Sequence, residues 1–210
     1  MDKHYAIFDM DGTLVDSMGY WHGMEREFLL SKGITDRLDE ILEATKPMTL
    51  TESCAYFSAF CGIDCSPEEF ISEVEAIMAR HYRDDVKIKP GVRAYLEELK
   101  TRGVPMCVAS ATNKPLVELC LKNLGLDCYF SFILSCVEVG AGKNRPDVFL
   151  EAARRLGAEP TDCAVFEDAI YAVRSAREAG FHVVAVKDAH NSSCWEELQS
   201  LAHETITDWT

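Results

Sequence analysis

The chain has 210 residues, 48% of them hydrophobic, and a formal net charge of −14 at pH 7. This length suits one large domain or one domain with a smaller domain inserted, and the excess of acidic residues argues against nucleic acid or an anionic membrane surface as a partner. No apolar run approaches the about 18 residues that a membrane-spanning helix needs.

The nine cysteines are scattered along the chain, and none is spaced Cys-x-x-Cys. This pattern favours unpaired thiols in a reducing compartment over a disulfide framework. The first residues lead into a short apolar run without a cationic leader, so we expect a cytoplasmic protein. We also expect a monomer or a weak dimer.

Five short apolar runs predict buried parallel strands. They cover residues 5–8, 104–109, 132–136, 163–166 and 182–186. Between the later runs, apolar residues recur every three or four positions, and each such stretch ends at a glycine, which is typical of helices. The alternation predicts an α/β fold with a Rossmann-like, doubly wound parallel sheet.

The long segment after the first strand has a helical pattern almost throughout. Ser66-Pro67-Glu68-Glu69 is a capping box with proline at the first helical position, and residues 49–52 have the same box spacing. We predict four helices, near residues 17–31, 36–45, 50–61 and 67–82. They would form an inserted helical cap domain over residues 16–85, while residues 1–15 and 86–210 form the α/β catalytic core.

Two aspartates follow the first predicted strand, in Asp9-Met10-Asp11-Gly12-Thr13. Carboxylates so close together at the end of a buried strand repel each other, and a fold accepts that cost where a cation or a reaction needs both. Gly12 permits a sharp turn that brings both acids toward one space. The pattern predicts a nucleophile and its acid–base partner.

Polar residues also follow three later predicted strands, where ligands bind in an open α/β sheet. A serine at such a place is more often a helix cap, and an isolated lysine is more often a solvated loop residue. From the residues alone, both alternatives stay open at this point. The segments are Val108-Ala109-Ser110-Ala111-Thr112-Asn113, Gly140-Ala141-Gly142-Lys143 and Val165-Phe166-Glu167-Asp168.

Together the four motifs resemble those of the haloacid dehalogenase-like hydrolases, and the helical insertion resembles the cap of the β-phosphoglucomutase-like group. The similarity runs from Tyr5 to about Val186. In this family, residues at the positions of Asp9 and Asp11 are the nucleophile, which forms an aspartyl phosphate, and the group that protonates the leaving alkoxide and then activates water.

The resemblance also implies a phosphate site and a Mg²⁺ site. Ser110, the following backbone at Ala111, and Lys143 would bind the phosphoryl group. Mg²⁺ would be held by Asp9, the backbone carbonyl of Asp11, Asp168, and Glu167 either directly or through water. One departure is Asn144, because members of the family commonly have a proline directly after the lysine.

The cap is expected to select the substrate, and three candidate specificity residues are Trp21, His22 and Asn113. Trp21 lies where the mutases have a histidine, and His22 is one residue later, which is about 100° further around a helix. Residues 49–53 contain no Lys or Arg that could bind a second phosphate.

We therefore predict a Mg²⁺-dependent phosphatase acting on a small phosphorylated metabolite, such as a sugar phosphate, phosphoglycolate or a nucleotide-like phosphate monoester. A phosphomutase of the β-phosphoglucomutase type is the alternative. A catalytically silent binding protein on the same scaffold is disfavoured by the complete set of Asp9, Asp11, Lys143 and Asp168.

Overall fold

A computed structural model of the chain describes residues 3–45 and 48–209. The chain divides into two compact units, one of Met1–Met18 with Val86–Thr210 and one of Gly19–Asp85. The larger unit contains the parallel sheet, and the smaller unit is helical. The domain boundaries at 15/16 and 85/86, and the roles of catalytic core and cap, stay predictions.

The predicted doubly wound parallel sheet is confirmed. The strands are β1 (Tyr5–Phe8), β2 (Val15–Asp16), β3 (Lys87–Ile88), β4 (Met106–Ser110), β5 (Ile133–Ser135), β6 (Cys163–Glu167), β7 (His182–Val186) and β8 (Glu204–Ile206). Six of them form one sheet in the order β5-β4-β1-β6-β7-β8, with every neighbouring pair parallel. β2 and β3 pair antiparallel in a separate two-stranded sheet.

The central position of β1 determines which residues meet at the carboxyl edge of the sheet. Phe8, its last residue, lies opposite Val108 of β4 and Phe166 of β6. The residues that follow these three positions therefore lie next to one another at the carboxyl edge of the sheet. The strand order reverses at this point, which is where open α/β sheets bind ligands.

β8 was not predicted, because its three residues carry no apolar run and lie at an exposed edge of the sheet. β1, β4, β6 and β7 are almost completely buried on both faces, which is why they form continuous apolar stretches in the sequence.

The four helices predicted for the insertion are present, and both capping boxes form at Thr49 and Ser66. The described residues also contain 3-10 helices at Asp127–Tyr129, Pro160–Asp162 and Ala189–Cys194. The α-helices are α1 (Met18–Ser31), α2 (Leu38–Thr45), α3 (Leu50–Cys61), α4 (Pro67–Asp84), α5 (Val92–Thr101), α6 (Lys114–Asn123), α7 (Cys136–Val139), α8 (Asp147–Leu156), α9 (Ile170–Glu178) and α10 (Trp195–Leu201).

An aromatic cluster packs on one face of the sheet, directly before the residues at its carboxyl edge. Phe8 and Phe166 stack with their ring centroids 4.3 Å apart, and Trp209 stacks on Phe166 at 5.9 Å. The ring of Tyr95 meets Trp209 at 5.1 Å. Trp209 is 7% exposed, so the end of the described chain is part of the core.

All nine cysteines lie within the described residues, and all nine are free thiols. Across residues 3–45 and 48–209, we find no helix with the length and apolar character needed to cross a membrane.

Gly91, which has no side chain, permits the close approach of the C-terminal segment. Its φ is +85°, and a Cβ there would lie 2.7 Å from the carbonyl carbon of Trp209. Gly157 has a similar φ of +74° but no neighbour within 4 Å of such a Cβ. The two glycines therefore share the left-handed backbone conformation, which glycine adopts without strain, and differ in the space around them.

We expect Gly91→Ala to lower the melting temperature more than Gly157→Ala. Both variants suffer the strain of a left-handed residue, about 1–3 kcal/mol, and about 1 kcal/mol corresponds to about 2–4 °C at this chain size. Gly91→Ala must also displace the Trp209 backbone. Thermal denaturation followed by circular dichroism measures the difference. Equal decreases in melting temperature for the two variants would show that the contact with Trp209 adds no cost to a side chain at position 91.

Candidate active site

Asp9 follows β1 at the carboxyl edge of the sheet and is 5% exposed. Its backbone N–H donates to the carbonyl of Phe166 at 3.0 Å, which continues the pairing with β6 and fixes the backbone. Gly12, with φ +77°, then turns the chain, and a Cβ at this position would lie 2.3 Å from Oδ2 of Asp168. Glycine is therefore required both by the turn and by the neighbouring carboxylate.

The Lys143 ammonium lies between two carboxylates. It is 4% exposed, and its Nζ contacts Oδ1 of Asp9 and Oε1 of Glu167. Burial alone would lower the pKa of Lys143, but the two carboxylates outweigh burial and hold the pKa above its ordinary value. Lys143 is therefore charged and positioned beside Asp9.

Three buried acids meet at this edge. A carboxylate oxygen from each of Asp9, Glu167 and Asp168 lies within 4.8 Å of the others. Burial raises the pKa of Asp9 well above its ordinary value, although Lys143 acts in the opposite direction. Burial, together with the Glu167 carboxylate, raises the pKa of Asp168 to about 8. The group carries more negative charge than the Lys143 ammonium balances.

Glu167 differs from the other two acids because both of its oxygens accept hydrogen bonds from the protein. Oε1 contacts Lys143, and Oε2 accepts from the backbone N–H of Ala169 at 3.1 Å. Asp168 instead accepts a long hydrogen bond of 3.3 Å from the Thr13 hydroxyl.

Asp11 lies in a different environment from Asp9, although only one residue separates them. Its Oδ1 accepts from the hydroxyl of Ser17 at 2.6 Å, and its Oδ2 accepts from the hydroxyl of Thr112 at 2.8 Å. The turn therefore directs one carboxylate to an ammonium and the other to two hydroxyls.

Ser110 is the last residue of β4 and is 1% exposed. Its hydroxyl accepts from the backbone N–H of Thr112 at 3.0 Å. α6 begins later, at Lys114, and its N-cap Asn113 makes no side-chain capping bond. Ser110 is therefore not the cap of α6. The exposed Ala111 lies in the bend that follows β4.

Several residues that the sequence analysis missed hold the backbone of this site. The buried hydroxyl of Ser175 donates to the carbonyl of Lys143 at 2.6 Å, and the amide of Asn191 donates to the carbonyl of Asp168 at 3.1 Å. The sequence analysis also missed the two hydroxyls that bind Asp11: Thr112 lies within a quoted motif, and Ser17 lies four residues after another, so their hydroxyls were the available signal. Ser175 and Asn191 give no comparable signal in the sequence.

Trp21 and His22 lie on α1 in the smaller unit. The Trp21 indole N–H donates to the Tyr82 hydroxyl at 3.0 Å, which fixes the orientation of this side chain within that unit. The ring of His22 is exposed. The role of these two residues and of Asn113 in substrate selection stays a prediction.

Comparison with known proteins identifies the family of this chain. Residues 4–180 match the haloacid dehalogenase-like hydrolase family. The fructose-1-phosphate phosphatase YqaB of Escherichia coli is 31% identical over 89% of this chain and 99% of its own length. The bifunctional riboflavin kinase/FMN phosphatase of Arabidopsis thaliana is 32% identical over 97% of this chain, which spans only 55% of that longer protein.

A solved structure gives the same result for the fold. The crystal structure of a haloacid dehalogenase-like protein from Agrobacterium tumefaciens superimposes with a TM-score of 0.73 at 28% identity, covering 99% of this chain and 94% of that one. The chain therefore belongs to the haloacid dehalogenase-like hydrolases, and its curated relatives include phosphatases, which are phosphoric monoester hydrolases, as well as the β-phosphoglucomutase of Bacillus subtilis.

Proposed function

We propose that this chain is a Mg²⁺-dependent phosphatase that hydrolyses a small phosphorylated metabolite through an aspartyl-phosphate intermediate. The observation that carries the proposal is the unequal environment of the two carboxylates on one turn. Asp9 contacts the Lys143 ammonium among buried acids, whereas Asp11 accepts from two hydroxyls. A nucleophile and a proton-transfer group need such different surroundings.

Asp9 is the proposed nucleophile. A carboxylate oxygen of Asp9 forms a bond to phosphorus while the bond from phosphorus to the ester oxygen breaks. The Lys143 ammonium, which already contacts Asp9, stabilises the negative charge on the phosphoryl oxygens during this transfer. Ser110, at the end of the neighbouring strand β4, is proposed to bind the phosphoryl group together with the backbone at Ala111.

Asp11 is the proposed proton-transfer group. It gives a proton to the departing alkoxide. It then accepts a proton from water while the water oxygen bonds to phosphorus and the bond from phosphorus to the Asp9 oxygen breaks, which releases phosphate and restores the Asp9 carboxylate. The hydroxyls of Ser17 and Thr112 orient its carboxylate from both sides.

The buried acids fit a divalent cation. They are hard oxygen donors and they lie close together. Burial, together with the neighbouring carboxylates, raises the pKa values of Asp9 and Asp168, so a cation at this place would favour their ionised forms. We propose Asp9, Asp168 and the backbone carbonyl of Asp11 as Mg²⁺ ligands, with Glu167 acting through water because both of its oxygens accept from protein donors. When bound, the cation offsets the negative charge of the carboxylates and of the substrate phosphate.

A phosphomutase is the second candidate, because the four-helix insertion after the first motif resembles that of the β-phosphoglucomutase-like group. Two sequence features favour the phosphatase instead. Trp21 occupies the place of the mutase histidine, and residues 49–53 carry no cation for a second phosphate.

The substrate class rests on the relatives. The names of two of them specify fructose 1-phosphate and FMN, which supports a sugar phosphate or another small phosphate monoester as the substrate here. The nine free thiols support a reducing, cytoplasmic location as part of the same proposal. A monomeric or weakly dimeric state and the absence of nucleic-acid partners stay predictions.

We expect Mg²⁺-dependent phosphate release from at least one member of a panel of sugar phosphates, phosphoglycolate and nucleoside monophosphates. A chelator should abolish the release because the acids then lack their counter-charge. Colorimetric phosphate detection reports hydrolysis, and NMR of the products reports isomerisation. An isomerised sugar phosphate without free phosphate would favour the mutase, and no reaction with any member would contradict both candidates.

Substitution of the two aspartates should separate their roles. Asp9→Asn should abolish phosphate release, because the amide cannot form the aspartyl phosphate. Asp11→Asn should lower the rate by about 10²–10⁴, the usual contribution of a general acid–base. Asp16→Asn, at an exposed acid on β2, is the matched control and should retain the wild-type rate. Hydrolysis that survives Asp9→Asn would exclude the proposed nucleophile.

Asp168 should make the metal-free protein sensitive to pH. Its pKa is raised from the ordinary 3.8 to about 8, so between these values the folded state holds a proton that the unfolded state has lost. Stability therefore falls as the pH rises through this window, and the loss is complete above it.

In the presence of a chelator at pH 8, we expect Asp168→Asn to melt several degrees higher than the wild type, because the amide cannot ionise in the folded state. Each gain of about 1 kcal/mol in the free energy of unfolding corresponds to about 2–4 °C. Its melting temperature should also change less between pH 4 and 8. Added Mg²⁺ should stabilise the wild type and not the variant. Differential scanning calorimetry measures these shifts, and parallel pH curves for the two proteins would refute the assignment.

A further inference from the structure

The segment after β7 contacts the loop that carries Asp168. Asp188 is the N-cap of the 3-10 helix Ala189–Cys194 and forms a capping box with Asn191, the third residue of that helix. Asn191 is 7% exposed, and no step of the proposed reaction uses it. A buried amide at this position therefore requires another explanation.

The Asn191 side chain makes three hydrogen bonds. Its Nδ2 donates to the backbone carbonyls of Asp168 at 3.1 Å and Val186 at 2.9 Å, and its Oδ1 accepts from the backbone N–H of Asp188 at 3.1 Å. Two carbonyls and one N–H leave a single orientation for the amide. Asn191 thus joins the end of β7 to the carbonyl of Asp168.

Asp188 anchors the other end of this connection. Its carboxylate is buried, with Oδ2 2.7 Å from Nζ of Lys89 and Oδ1 accepting from the backbone N–H of His190 at 2.9 Å. Burial acts to raise the pKa of Asp188, but the hydrogen bonds from Lys89 and His190 outweigh it and lower the pKa. The network is therefore satisfied at every buried group, which makes it rigid.

The backbone contact matters because Asp168 is weakly held through its side chain. The Thr13 hydroxyl donates to the carboxylate at the long distance of 3.3 Å. The other oxygen lies directly over Gly12, where no Cβ would fit. A small displacement of the Asp168 backbone would therefore move the carboxylate relative to the turn that carries Asp9 and Asp11.

We propose that Asn191 is a positioning residue for the metal site: it holds the backbone carbonyl of Asp168 and thereby directs the carboxylate toward the cation. This inference rests on the proposed function, because it requires Asp168 to bind Mg²⁺. Groups that orient a metal ligand typically contribute about 10- to 100-fold to metal affinity or activity.

The test is the equilibrium affinity for Mg²⁺ without substrate, measured by calorimetry on the full chain. Asn191→Leu keeps the approximate shape and neutrality but removes all three hydrogen bonds, and we expect its Kd for Mg²⁺ to rise about 10- to 100-fold. Asn191→Ser is the milder second variant. Its hydroxyl retains one hydrogen-bond donor, and we expect its Kd for Mg²⁺ to lie between those of the wild type and of Asn191→Leu. If Asn191→Leu does not fold, this second variant still tests the proposal.

Ser192→Ala is the matched control, because Ser192 is the next residue of the same 3-10 helix, is exposed, and bonds only locally, to the carbonyl of Ala189. It should bind Mg²⁺ with the wild-type affinity. Melting temperatures of all variants separate stability from metal binding. A folded Asn191 variant with a lower melting temperature and an unchanged Kd overturns the proposal, because Asn191 would then support only the fold.

The proposed function has its own control. If the wild type shows no saturable Mg²⁺ binding, the proposed metal site fails, and the inference on Asn191 fails with it. If the wild type binds Mg²⁺, Asp168→Asn abolishes that binding and the Asn191 variants bind normally, only the inference fails.

Discussion

The central constraint on this structure is the burial of three carboxylates around one ammonium. Asp9, Glu167 and Asp168 lie within reach of each other, and Lys143 contacts the first two. Buried charges are costly unless they are paired and hydrogen-bonded, and the ammonium neutralises only one unit of this charge. Burial, together with the neighbouring carboxylates, raises the pKa values of Asp9 and Asp168. A site of this kind is stable as a set of anions only with further positive charge, which a divalent cation supplies.

The same constraint explains why two aspartates on one turn are not equivalent. Gly12 turns the chain so that the carboxylate of Asp9 meets Lys143, whereas that of Asp11 meets the hydroxyls of Ser17 and Thr112. The chemical identity of the two side chains is the same, and their partners differ. The proposed division between nucleophile and proton-transfer group follows from those partners.

Much of the support around the site acts on the backbone. Ser175 holds the carbonyl of Lys143, Asn191 holds that of Asp168, and the N–H of Asp9 pairs with β6. Fixing the main chain leaves the functional atoms available for a substrate and a cation while still setting their positions.

The sequence by itself determined the buried strands, the capped helices, the family and the residues of the four motifs, because periodicity, capping and motif order are local properties of the chain. Only the tertiary structure decided which residues form hydrogen bonds with the side chains and backbone of the site. Thr112 reaches Asp11 across 101 positions in sequence, and Asn191 reaches Asp168 across 23. The edge strand β8 and the engagement of Glu167 by Lys143 were equally inaccessible, because each depends on which segments the sheet brings side by side.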